Sequence, residues 1–323
     1  MSRERILVEI TVDDEAAPPP VTVETVLDTA ATDHLHRRGV LLILAAVFCF
    51  AIMDATAKYL NRHYPAPGLV WARYLVHLIM MLVLFGRSMG LDLVRSANPG
   101  WQIVRGLLLM TSTLCAFLAL KYLPLAETCA IGFVSPLLVT ILSSTLLKEE
   151  VSRERWAAVA TGFFGVLIIV RPGGGLLTAA SMLPLGAACC FSTYQIITRK
   201  IAHADSPYVT LFYVALVGSV LMTFALPFAW KTPTPGDAVL VVATGLLGGS
   251  AHFFMIRALT HAPAALLAPF VYSQLLWATI FGLLFFGEFP DGWSVIGMMF
   301  IVGSGLYVAY GQKFHLHRPV AGR

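Results

Sequence analysis

The sequence predicts an all-α membrane protein of ten transmembrane helices, arranged as two inverted five-helix repeats. Three observations predict it. Ten apolar segments fill the chain from Arg38 to Tyr310. Basic residues are distributed unevenly over the loops between them. Stretches of the first half recur in the second at a nearly constant spacing.

A spanning helix needs about 20 apolar residues to cross about 30 Å of hydrocarbon. The segments are 38–60, 68–86, 100–120, 126–147, 154–171, 178–200, 207–229, 237–257, 263–286 and 292–310. The fifth and the last are short and start in their loops. The chain is 58% hydrophobic and 12% charged, against about 45–50% and 25% in soluble domains. A soluble chain could not hide ten such segments. The net charge of +4 is modest and its basic residues sit singly, which excludes a nucleic-acid-binding stripe. All five cysteines fall inside predicted spans without a Cys-x-x-Cys pair, and read as small apolar thiols.

Residues 1–36 carry eight acidic residues, two arginines and the run Pro18–Pro19–Pro20. Such a segment buries too little apolar surface to order itself and lacks the features of a secretory signal. It is expected to be a disordered cytoplasmic tail. The first repeat is placed at 37–173, the second at 174–311, and a C-terminal cytoplasmic tail at 312–323.

Alternate loops hold thirteen basic residues, and the other set holds five: Lys58, Arg62, Lys121, Arg171 and Lys231. The rich side is cytoplasmic by the positive-inside rule. Both termini are therefore expected in the cytoplasm, with the protein in the cell (inner) membrane, as an even number of crossings requires.

The halves match at two nearly equal register shifts. The longer-range match sets Gly106-Leu-Leu…Ala119-Leu120-x-x-x-Pro124 on Gly245-Leu-Leu…Ala258-Leu259-x-x-x-Pro263, and the same shift sets Glu149 on Glu288. A second shift, greater by two positions, sets Phe50…Asp54…Lys58 on Phe191…Gln195…Arg199. Five spans per half is an odd number, so the second copy enters from the opposite side. Opposed repeats of this kind recur in secondary transporters, because two similar halves can pack in two ways, one open to each side.

The stretch Ala126–Gly173, with Pro136-Leu-Leu, Leu147-x-Glu149, Arg155-Trp156-Ala157 and Arg171-Pro172-Gly173, resembles the EamA type of the drug/metabolite transporter superfamily. So do Ala268-Pro269-Phe270-x-Tyr272, Leu276-Trp277-Ala278 and Gly287-Glu288-x-Pro290-Asp291. The resemblance covers about residues 38–311. It implies ten helices in two inverted halves around a central cavity, and transport of small organic solutes in families that include importers and exporters.

Ionisable groups inside a bilayer are costly and mark function by default. Asp54 and Arg73 lie at matching depths in the first two spans and are expected to pair, either as a structural tie or as a receptor for a charged or zwitterionic substrate. Lys58 is one turn from Asp54 and nearer the surface, where it can snorkel. His77, one turn below Arg73, is a packing histidine or a proton relay. Glu127 and the matched Glu149 and Glu288 read as helix-end or loop contacts, and His252 is ambiguous. The ninth span places Tyr272, Gln274 and Trp277 near mid-depth after Pro263 and Pro269. Its repeat partner, the fourth, has Phe133, Ser135 and Pro136 there, and the sixth adds Tyr194 and Gln195. Proline frees backbone carbonyls and bends spans, and inward aromatic and amide groups can grip a planar solute.

The expected function is therefore a secondary transporter of a small organic metabolite. An amino acid, a nucleoside-like compound such as S-adenosylmethionine, or a vitamin such as riboflavin fits the candidate cavity. Protons are one candidate coupling ion. No cofactor or bound metal is expected, and no Walker motif is present to hydrolyse ATP. An intramembrane enzyme lacks its motifs here, and a scaffold or receptor needs no opposed halves.

Overall fold

The computed structural model describes residues 23–148, 151–171, 179–201 and 204–315. Among them every regular element is helical. The apolar segments become α1 (Val23–Leu60), α2 (Ala66–Met81), α3 (Pro99–Tyr122), α4a and α4b (Leu125–Gly132 and Ser135–Leu146) and α5 (Arg153–Val170). The second half holds α6 (Met182–Ile201), α7 (Pro207–Thr223), α8 (Pro235–His261), α9a and α9b (Ala264–Val271 and Ser273–Phe286) and α10 (Gly292–His315). Helix α2 runs on through a π-helical turn at Leu82–Gly86. Six described helices are long and apolar enough to cross a membrane.

Helix α1 starts within the stretch expected to be a disordered tail. Residues 23–36 include Glu24, Leu27, Ala30 and Ala31, good helix formers whose preference does not depend on burial. Residues 1–22 lie outside the described residues, as does Glu149.

Local chemistry sets the other boundaries. Ser152, Ser206 and Thr234 each accept a hydrogen bond from the backbone N–H three residues on, capping α5, α7 and α8. Proline stands in the first two positions of α2, α3, α4b, α7 and α8, where no N–H partner is lost. Helix α9b ends at Gly287, whose φ of +67° a residue with a side chain rarely adopts.

The packing has a repeating logic. Helix α1 packs on α8 and α9b, and α6 packs on α3 and α4b. Helix α2 packs on α8, and α7 on α3. Two further pairs, α2 with α7 and α5 with α10, join equivalent helices. Advancing every helix number by five reproduces these pairs. The close contacts obey the same rule. A Cβ added to Gly106 would lie 2.6 Å from the Cβ of Val217, and one added to Gly245 would lie 2.5 Å from that of Val76. Gly106 and Gly245 are related by the first register shift of the sequence repeat, and Val76 and Val217 by the second.

Candidate functional site

The fourth and ninth helices both break at mid-length. In the fourth, Phe133 and Val134 separate α4a from α4b, and Pro136 opens the second piece. In the ninth, Pro269 lies inside α9a and Tyr272 marks the join. Proline cannot donate the bond its helix needs. At the join, Ser273 Oγ donates to the Phe270 carbonyl at 2.6 Å. Phe133 and Tyr272 occupy equivalent positions of the repeat, related by the same shift as Gly106 and Gly245. Their rings stack with centroids 4.9 Å apart and planes at 27°.

Two hydrogen bonds flank this stack. Gln274 Nε2 donates to Asp54 Oδ2 at 3.4 Å. Gln195 Nε2 donates to Ser135 Oγ at 3.3 Å. Asp54 and Gln195 are repeat equivalents, and so are Ser135 and Gln274. The same pair of repeat positions is thus bonded twice, each time between one half and the other. Ser135 and Ser192 hydroxyls lie 3.1 Å apart, which ties α4b to α6.

The remaining candidates spread around this seam. The Tyr272 hydroxyl fills the space that a side chain at Gly305 would need, so it faces α10. Trp277 meets Phe48 edge-on at 4.8 Å and stacks on Phe281. Tyr194 points to α3, where its hydroxyl accepts from Arg105 Nη2 at 3.2 Å. Phe133, Ser135, Gln195 and Gln274 therefore gather with Tyr272 and Asp54, whereas Trp277 and Tyr194 sit at its margins.

The expected Asp54–Arg73 ion pair is not formed. Arg73 donates to Met53 Sδ at 3.3 Å and to Thr113 Oγ1 at 3.2 Å. Met53 faces α2, and Asp54, about 100° further round the helix, faces α9b. Lys58 does not snorkel either. It is 6% exposed, forms a salt bridge to Glu288 Oε1 at 3.1 Å and donates to the Leu123 carbonyl at 2.7 Å and that of Leu120 at 3.3 Å. The Leu120 carbonyl lacks its helical donor because residue 124 is proline. Glu288 Oε2 also accepts from Leu125 N, the first residue of α4a. Glu288 is thus a helix-end contact, as expected, but with a partner on α1. Glu127 is buried and unpaired with Lys121, which lies over the Tyr122 ring. His77 is buried with its ring parallel to that of His252, at 6.4 Å. An ion pair between Arg171 and Asp291 joins the end of α5 to the α9b–α10 loop.

Arg105 escaped the sequence reading. It is fully buried and donates to Gln102 Oε1 at 2.8 Å. The signal was present: an arginine near the start of the third predicted span, already inside its apolar run. Gln102 Nε2 in turn donates to Asp205 Oδ2 at 2.7 Å. Asp205 precedes α7 and also accepts from Ser96 Oγ at 2.5 Å and Ala97 N at 2.7 Å. Partial burial opposes its ionisation, but these hydrogen bonds outweigh that and hold its carboxyl below the usual aspartate range. A depressed folded value means stability that is full above the ordinary value of about 3.9 and is lost as pH falls through the folded value. Asp205→Asn should therefore lower the melting temperature at pH 7, and the gap from wild type should close as the pH is taken below about 4 in a detergent-solubilised thermal scan.

Broken helices that meet at mid-bundle, with aromatic and amide groups at the breaks, recur in secondary transporters. This is a multi-pass membrane protein that transports a small molecule. The chain belongs to the EamA-like transporter family, whose signature matches residues 37–171 and again 178–310. It is 30% identical over 282 residues to the riboflavin transporter of Vibrio cholerae serotype O1, covering 85% of this chain and 94% of the relative. It is 27% identical to the S-adenosylmethionine uptake transporter of Rickettsia prowazekii, covering 86% and 94%. Against the pseudopaline exporter of Pseudomonas aeruginosa identity is 26%, covering 86% and 98%. A solved crystal structure, 19% identical, shares the fold with a TM-score of 0.64 and covers 87% of this chain and 99% of that one.

Proposed function

We propose that the protein carries a small organic metabolite with a planar ring across the inner membrane by alternating access. Ten crossings form two inverted halves, with both termini in the cytoplasm. The observation that carries this reading is the pair of repeat-related bonds, Asp54–Gln274 and Ser135–Gln195, on either side of the Phe133–Tyr272 stack. A site built from both halves on their common axis is equally accessible to either side when the halves rock. The packing pairs that recur five helices on support the same reading, as does the thirteen-to-five excess of basic residues on one side.

In that orientation the Lys58–Glu288 bridge closes the outer end, and the Asp205–Gln102 contact lies at the cytoplasmic end. The relatives include a riboflavin transporter, an S-adenosylmethionine uptake transporter and a pseudopaline exporter. Riboflavin and S-adenosylmethionine each carry a planar ring that aromatic and amide groups can hold. Protons are the proposed coupling ion. The test is counterflow in proteoliposomes with labelled riboflavin and S-adenosylmethionine, with and without a proton gradient. Flux of at least one compound that rises with the gradient is expected. Folded protein that moves neither compound would refute the substrate reading.

A further inference from the structure

We infer that Arg105, with the Tyr194 hydroxyl, is the receptor for an oxyanion group, a carboxylate or phosphate, on the transported solute. The inference rests on the transport reading above and narrows its substrate class.

A guanidinium has five N–H donors and stays charged in proteins. Arg105 is fully buried. Its Nη1 donates to Gln102 and its Nη2 to Tyr194. Its Nε is buried without any hydrogen-bond partner. Among the described residues no carboxylate lies within salt-bridge distance of it. The nearby acid, Asp205, is held by Ser96, Ala97 and Gln102, so Gln102 stands between the two charges. Removing a charge from water is expensive unless it is paired. A buried guanidinium with a neutral amide and a phenol as partners keeps an unmet demand for an anion.

A second buried guanidinium, that of Arg73, lies in the same region. His252 lies within electrostatic reach of Arg73, His77 and Arg105. His77 Nε2 is also buried without a partner. The carboxylate facing this group, Asp54, lies near Arg73 and accepts from Gln274. Helices α2 and α3 thus present two buried guanidinium groups, Arg73 and Arg105, whereas α4 and α9 present the aromatic pair Phe133 and Tyr272.

Location links Arg105 to that pair. Tyr194 precedes Gln195, which bonds Ser135, and Phe133 lies two residues before Ser135. The Tyr194 ring also carries the Arg105 guanidinium over its face at 4.9 Å. A solute whose ring enters the Phe133–Tyr272 seam can bring an acid group to Arg105. Arginine suits that task because its fork meets two oxygens of one oxyanion. The Tyr194 hydroxyl, now accepting from Arg105, can turn its proton to the same anion.

The test compares matched ligands on full-length protein. Binding in detergent is measured by thermal shift for riboflavin against riboflavin 5′-phosphate, and for S-adenosylmethionine against its decarboxylated analogue. Wild type should bind the acid-bearing member of at least one pair tenfold or more tightly, the first pair reporting phosphate and the second carboxylate. Arg105→Gln should reduce that preference to less than twofold, and Arg105→Lys should restore part of it. Where Arg105→Gln does not fold, Tyr194→Phe carries the test, with affinity for the acid-bearing member alone falling at least threefold. Equal binding within both pairs by wild type, or an unchanged preference in the variants, overturns the inference. Counterflow keeps the outcomes separate: flux of the members that lack the acid group, with no acid preference, defeats this inference alone, whereas no flux of any member defeats the transport reading.

Discussion

Lys58→Met is expected to lower the melting temperature by about 5–10 °C and to abolish transport. Lys58 is nearly fully buried and holds Glu288 and two α3 carbonyls at once. Removing one partner of a buried pair costs about 3–5 kcal/mol. The Glu288 side chain is 30% exposed, so solvent recovers part of that and leaves about 2–3 kcal/mol. At about 2–4 °C per kcal/mol for a chain of this size class, the shift follows. Glu288→Gln should lose less, because its amide can still accept from Lys58. The Lys58→Met/Glu288→Gln double variant should be more stable than the sum of the singles, since contacting residues are not additive. Thermal scans and counterflow on the three proteins measure this. Wild-type stability in Lys58→Met would mean that the bridge braces nothing.

Tyr272→Ala is expected to raise the apparent substrate constant about fivefold while the protein still folds. An aromatic pair contributes about 1 kcal/mol beyond its area, and about 1.4 kcal/mol is tenfold in an equilibrium constant. The Tyr272 ring stacks on Phe133 and its hydroxyl abuts Gly305. Tyr272→Phe keeps the ring and should stay within twofold of wild type. Phe133→Ala should resemble Tyr272→Ala, because a two-fold-related pair contributes equivalently from each half. Concentration-dependent uptake in proteoliposomes gives these constants. An unaltered constant in the Phe133→Ala/Tyr272→Ala double variant would place the substrate elsewhere.

The helices and their breaks were legible because they depend on local chemistry. Apolar length, capping serines and prolines at 136 and 269 are written in consecutive residues. The repeat was legible for a related reason: Gly106 and Gly245 need a small residue for the same contact, against Val217 and Val76. Partners were harder. Asp54 and Arg73 share a depth, but depth does not give rotation about the helix axis, and Met53 took the place facing Arg73. Lys58 looked peripheral because it lies two residues from the end of α1, whereas Glu288 folds back from the far half to bury it. Arg105 was overlooked, although a charge inside an apolar span is itself the strongest signal of its kind.

The central claim is that one site on the common axis opens alternately to both sides. Ser135→Cys and Gln274→Cys, each in a background without the five native cysteines, test it directly. A membrane-impermeant thiol reagent is applied to proteoliposomes of defined orientation, once from outside and once from within. The account predicts that each cysteine is labelled from both sides and that transported substrate slows labelling from either. Labelling of both cysteines from one side only, in protein that still catalyses flux, would contradict it.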